Sequence, residues 1–234
     1  INEYGSSEFT EILGASPSPE RSKVLIINGF DRTVGTTNTF DFIFEHGEAV
    51  RKNSYTFDSA SNEAVINGTV KLTEFPIVNW ILGEEGTATS SFDEDEKRIV
   101  KNYILNGGRL FISGSEIGYD LVEKGSLSDV KFYEDFLKAK YISDAAGGTS
   151  GVYSVEGVTN SFLDGYTFSF DDGNNGNYNV DWPDGIKPIG NAVSILKYVD
   201  VDYESRGGAG IAYRGNFTNS SIPAGLVYLS VGLE

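Results

Sequence analysis

A doubly wound, mainly parallel α/β sheet is the fold class this sequence predicts, and three observations predict it. Short continuous apolar runs, the mark of strands buried on both faces, alternate with stretches of helical spacing. The connections between them are short, as in strand-helix-strand units. One such run, Arg109-Leu-Phe-Ile-Ser-Gly-Ser-Glu-Ile-Gly118, passes straight into a G-x-E-x-G turn. In open α/β sheets such an elbow lies at the carboxyl end of a strand and pushes its middle side chain, here Glu116, into the crevice.

The elements follow in order. Residues 1–14 alternate polar and apolar around Tyr4-Gly5 and predict a strand, and Ala15-Ser-Pro-Ser-Pro19 opens an extended linker over 15–22. The stretch Asn2-Glu-Tyr-Gly-Ser-Ser-Glu-Phe9 resembles the last strand of a fibronectin type III module, so residues 1–14 are expected to be the end of a preceding module. Lys23–Phe30 is a buried strand with Asp31 and Arg32 at its exit. Phe40, Ile43, Phe44 and Val50 space a helix over 38–52. Tyr55-Thr-Phe57 predicts a second strand leading into Asp58-Ser-Ala-Ser-Asn-Glu63.

Pro76–Leu82 is a third strand ending at Gly83-Glu84-Glu85. Ser91 and Glu94 are read as a capping box, and Gly107-Gly108 stops the helix they begin. The fourth strand then delivers Glu116. Val130, Tyr133, Phe136 and Leu137 mark one more helix, after which short strands are expected at 152–156, 193–199, 209–213 and 225–230, an extra β-rich C-terminal part. The last of these would want another helix after it to complete the sandwich, so the domain over 23–234 is expected to lack its C-terminal helix.

Composition narrows the function. Of 234 residues, 39% are hydrophobic, enough for a core. Thirty-four acidic against 18 basic residues give a net charge of −16, which disfavours nucleic acid and anionic membrane surfaces as partners. No apolar run approaches a membrane span. Cysteine is absent, which removes thiol nucleophiles, disulfides and thiolate zinc sites.

Loops after parallel strands share one edge of the sheet. That rule gathers Asp31 and Arg32, then Asp58, Ser59, Asn62 and Glu63, then Glu84 and Glu85, then Ser115 and Glu116. Three chemistries suit such a crevice. Glu116 and Glu63 could flank a glycosidic bond as acid and nucleophile or base. Acids with Asn62 and backbone carbonyls could hold a hard cation such as calcium. Ser115 could act as a nucleophile with His46, the single histidine, as base. Further on, Asp171, Asp172 and Asn175 form a second calcium candidate, although the loop departs from the EF-hand pattern. Tyr178 and Trp182 are candidate platforms for a sugar ring.

The motifs Val24-Leu-Ile-Ile-Asn-Gly-Phe-Asp-Arg32, Phe57-Asp-Ser-Ala-Ser-Asn-Glu-Ala-Val65, Trp80-Ile-Leu-Gly-Glu-Glu85 and Gly108–Gly118 together resemble the class I glutamine amidotransferase-like domain of large secreted bacterial proteins, those described as xanthan-lyase-like or amidase-like. The resemblance implies a flavodoxin-like three-layer sandwich, export to the cell surface or beyond, partner domains in the same polypeptide, and work on polysaccharide. True members of the class carry Cys at the elbow with a downstream His and Glu; Glu116 stands there instead, and no histidine follows it. Glutamine hydrolysis is therefore excluded. Two readings remain: a module that binds or hydrolyses glycan through the carboxylate crevice, and a non-catalytic structural or adhesive domain stabilised by calcium.

Overall fold

The computed structural model describes residues 11–32, 38–147, 151–174 and 177–233. Its first half alternates as expected: β1 Val24–Asn28, α1 Ile43–Lys52, β2 Phe57–Ser61, α2 Asn62–Ile66, β3 Ile77–Gly83, α3 Glu94–Leu105 and β4 Arg109–Gly114. A single π turn over Tyr119–Glu123 leads to α4 Leu127–Phe136. The second half is richer in strand: β5 Ala139–Ser143, β6 Ser154–Gly157, β7 Thr167–Ser169, β8 Gly185–Pro188, β9 Val193–Tyr198, the short α5 Tyr203–Arg206, β10 Gly210–Asn216 and β11 Pro223–Leu229.

Nine strands form one mixed sheet in the order β2-β1-β3-β4-β11-β10-β9-β6-β7, while β5 and β8 pair separately. The run from β2 to β11 is parallel and the rest antiparallel. Every residue of β1 is buried, which explains its unbroken apolar run. Leu25 and Ile27 face one core with Val65, Trp80, Val100, Tyr103 and Phe132 from under α2, α3 and α4. Val24 and Ile26 face the other with Phe42, Ile43, Tyr178 and Val180. The chain leaves β1 toward β2 on one side and later crosses to β3 on the other, so the strand order reverses between β1 and β3. In open α/β sheets that reversal opens a crevice at the carboxyl ends.

Several boundaries differ from expectation. The second strand begins at Phe57 and continues to Ser61, so Asp58 and Ser59 lie within it rather than at its exit. The capping box of α3 is Asp93 with Glu96, not Ser91 with Glu94: Asp93 Oδ1 accepts the Glu96 N–H and Glu96 Oε2 accepts the Asp93 N–H, both at 2.7 Å. Ser91 instead donates its backbone N–H to Asp120 Oδ2 at 2.7 Å.

Of the N-terminal segment, residues 1–10 lie outside the described residues. The stretch that follows is extended and held against the sheet. Ile12 N donates to Phe40 O at 2.9 Å, Ser16 N to Phe57 O at 2.7 Å, and Gly14 N to Ser59 Oγ at 2.8 Å. This path along the β2 edge carries Glu11 to the end of β1.

Candidate functional site: a carboxylate crevice at the strand reversal

The loop after β1 and the loop after β3 are tied together. Glu85 Oε2 accepts the backbone N–H groups of Asp31 and Arg32, at 3.2 and 2.8 Å, and Arg32 Nη1 donates to Glu84 O at 2.6 Å. Thr89 Oγ1 donates to the remaining oxygen of Glu85. From the edge of the sheet Glu11 arrives and accepts the Asn28 side-chain amide at 2.9 Å. Asn62, at the start of α2, donates to Glu96 Oε1 at 3.0 Å, and Glu63 beside it bears on both Glu11 and Asp31. The first carboxylate group is thus Glu11, Asp31, Glu63, Glu85 and Glu96.

Glu116 organises a second group. Its φ of 66° is left-handed, which for a residue with a side chain is strained backbone, as the elbow reading requires. Ser115 N donates to Gly83 O at 2.8 Å on one side of the turn. On the other, the carboxyl of Asp184, fully buried, accepts from Gly118 N at 2.5 Å and Tyr119 N at 3.3 Å. The Asp184 backbone carbonyl accepts the hydroxyls of Tyr198 and Ser230, each at 2.8 Å, so two distant strands fix the residue that fixes the elbow. Just upstream, Asp181 N donates to Glu84 Oε1 at 3.3 Å, and Trp182 stands 43% exposed with a φ of 51°.

Both groups carry carboxyls that resist ionisation. Burial raises Glu11 to about 7, with Glu63 adding to it. Burial raises Glu85 and Glu96 to about 7 as well. Glu116 is raised to about 7 by burial and then by Asp144 and Glu84, against a hydrogen bond from Thr87 and the charge of Lys124. A carboxyl that is half-protonated near neutrality can serve as a general acid.

That state has a stability consequence. A carboxyl whose folded pKa lies above its unfolded value binds more protons when folded, so its contribution is fully present below about pH 4.5 and lost as pH rises through 7. His46 opposes this, because burial lowers it to about 4 and the unfolded chain takes up its proton first. Four carboxyls outweigh one imidazole. The melting temperature is therefore expected to be higher at about pH 5.5 than at pH 8; a melting curve that rises with pH across that window would contradict the shared burial of these acids.

The sequence-derived candidates divide. Asp31, Arg32, Asn62, Glu63, Glu84, Glu85 and Glu116 all come to the crevice edge. Glu63 bears on Glu11 and Asp31, whereas Asp144, Thr87, Glu84 and Lys124 bear on Glu116, so the two belong to neighbouring groups. Asp58 sits opposite Leu25, near the start of the edge strand β2, and accepts from Ser22 Oγ at 3.1 Å. At about 3.3 Å per residue it is roughly 10 Å short of the strand exit.

Ser115 and His46 are not brought together. His46 is buried under α1 with Nδ1 2.8 Å from Asn79 Nδ2, and Asn79 pairs with Phe111, four residues before Ser115 and so about 13 Å away along the strand. Tyr178 is 1% exposed, with its ring edge-on to Phe30 at 5.1 Å and Phe42 at 5.8 Å, so no sugar reaches it. Asp171 and Asp172 accept backbone N–H groups of their own loop, from Gly173 at 2.7 Å and Asn174 at 3.1 Å. Asn175 lies outside the described residues. Among the described residues no three His, Cys, Asp or Glu side chains are grouped to hold a metal ion.

Glu11, Glu96, Asp144, Asp181 and Asp184 were not legible as site residues. Glu96 carried one available signal, since Asp-x-x-Glu across Asp93–Glu96 is itself a capping pattern. Asp184 carried none: its partners Gly118 and Tyr119 lie 66 and 65 residues away.

With strand order and elbow in view, the class of the molecule is a mixed α/β domain built on one large sheet. Its fold is similar to that of the N-terminal domain of mmIFT52, at 17% identity and a TM-score of 0.50 over 88% of this chain and 85% of that one. A glutamine amidotransferase (tm1158) from Thermotoga maritima aligns at 16% identity and a TM-score of 0.46, over 89% of this chain and 74% of the other. A putative ThuA-like protein from Bacteroides uniformis aligns at 13% and 0.49, over 92% and 86%. No family model matches the sequence, and no curated protein matches it.

Proposed function

We propose that this domain binds glycan, and hydrolyses it, in the carboxylate crevice at the strand reversal. The observation that carries the reading is Trp182: a large indole left 43% exposed on strained backbone, directly after Asp181, whose amide is bonded to Glu84. An aromatic face beside carboxyls is what a sugar ring needs, since its C–H face stacks while its hydroxyls bond to acids. In this reading Glu116 is the proton donor to the glycosidic oxygen. The second carboxyl is Asp144 or Glu84, the two acids that bear on Glu116, in place of Glu63.

We infer further that the domain is of the class I glutamine amidotransferase-like, flavodoxin-like kind, because five parallel strands in the order 2-1-3-4-11 end in an elbow beside the reversal. A secreted or cell-surface multidomain protein following a fibronectin type III module is the setting proposed from the sequence motifs. Amidotransferase chemistry does not come with it, for want of any cysteine. One observation favours the rival structural reading: Glu85 and Glu96 are engaged by backbone amides and side-chain donors, as scaffold acids would be.

The test is a panel of neutral polysaccharides and oligosaccharides read by binding and by reducing-end release. Trp182→Ala is expected to weaken binding at least about tenfold, the loss of one stacking contact. Glu116→Gln is expected to abolish turnover with an unchanged melting temperature. If no glycan binds, or if Glu116→Gln turns over at the parent rate, the proposal falls and the scaffold reading takes its place.

A further inference from the structure

The first carboxylate group has a feature the glycan reading alone does not use. Glu85 and Glu96 are held by backbone amides and side-chain donors, whereas Glu11 and Asp31 are half-buried and Glu63 is exposed. Beneath them lies Asn28, 1% exposed, whose Nδ2 is engaged by Glu11 and whose Oδ1 is buried with no hydrogen-bond partner. Asn62 Oδ1, alongside, is likewise buried and without a partner. These oxygens are all acceptors. A buried amide oxygen left without a donor is unfavourable, so the site is short of N–H groups. Arg32, next to it, directs a guanidinium nitrogen at the Glu84 carbonyl.

Among the described residues no three His, Cys, Asp or Glu side chains are grouped to hold a metal ion. A primary ammonium suits them better: it carries three N–H donors and bonds at about 2.7–2.9 Å to charged acceptors, longer than the reach of a metal shell. Asp181, directly before the exposed Trp182, donates its backbone N–H to Glu84, the neighbour of Glu85 in this group.

We propose that this end of the crevice recognises the free amine of an amino sugar, the ammonium lying among Glu11, Asp31 and Glu63 with the Asn28 amide oxygen beneath. This deepens the glycan reading and rests on it. Burial raises Glu11 and Asp31, and Glu63 adds to both, so a cation placed among these acids would relieve their mutual repulsion.

The experiment compares three tetrasaccharides of β1,4-linked units by calorimetry: fully deacetylated chitotetraose, its N-acetylated form, and cellotetraose. Deacetylated chitotetraose is expected to bind at least tenfold more tightly than the other two. Glu63→Gln and Glu11→Gln should each remove most of that preference with little change in melting temperature, while Glu134→Gln, which removes a charge from the exposed face of α4, leaves it intact. Equal binding of all three sugars overturns the amine site and leaves the glycan reading standing. Preference that survives both Gln variants, or an equal affinity for a tetralysine peptide, also overturns it. Binding of none of the sugars ends both.

Discussion

Gly83→Ala is expected to be among the most destabilising single substitutions in this chain, costing about 2–5 kcal/mol. Gly83 closes β3 with a φ of +46°, where a side chain is strained by about 1–2 kcal/mol. An added Cβ would also fall inside the ring of Phe30, which is fully buried between Phe42, stacked at 5.3 Å, and Tyr178. Overpacking of that kind adds about 1–3 kcal/mol. Gly190→Ala separates the two causes, because its φ is +63° but nothing lies within 4 Å of the added carbon. It should cost only the backbone share, about 1–2 kcal/mol. Urea unfolding of both variants measures the difference; equal losses would mean that Phe30 moves aside freely and the switch-point core is loose.

The second large effect is expected at Asp184. Its carboxyl is fully buried and its pKa is pushed well above the usual range by burial, with Glu116 adding to the push against a bond from the Gly118 amide. Asp184→Ala would leave the N–H groups of Gly118 and Tyr119 without an acceptor in a dry site and open a void. The cost is about 3–4 kcal/mol, together with loss of whatever Glu116 does. Asp184→Asn keeps an acceptor oxygen and the shape of the side chain, and should stay within about 1 kcal/mol of the parent. If Asn proves as damaging as Ala, one acceptor oxygen does not hold the turn and the reading of the elbow's support is wrong.

These two positions show how differently the sequence exposes its own structure. Gly83 stands at the end of a visible apolar run, beside two glutamates, and its place at a strand exit could be read directly. Asp184 sits in a stretch of Asp, Asn, Gly and Pro without an apolar period, and it became a central support only because β9 and the end of β11 bring Tyr198 and Ser230 to its carbonyl. Trp182 and Tyr178 looked alike in sequence as possible sugar platforms. Their neighbours parted them, one into the core and one into solvent. Asp58 was misplaced because a strand that begins two residues later than its apolar signal carries the acid into the sheet.

By itself the sequence determined the α/β alternation, the four parallel strands that open the chain, the acidic character of their exits and the strained turn at Glu116. Those features are local: apolar period, capping side chains and glycine at a bend are all settled within a few residues. Only the tertiary structure decided that β11 joins the parallel run beside β4, that residues 11–22 lie along the β2 edge and deliver Glu11, and that the acids form two groups rather than one. The physical reason is range. Which carboxyls share a desolvated space, and so shift one another's protons, depends on strand order and on contacts between residues tens of positions apart, and nothing in the spacing along the chain encodes that.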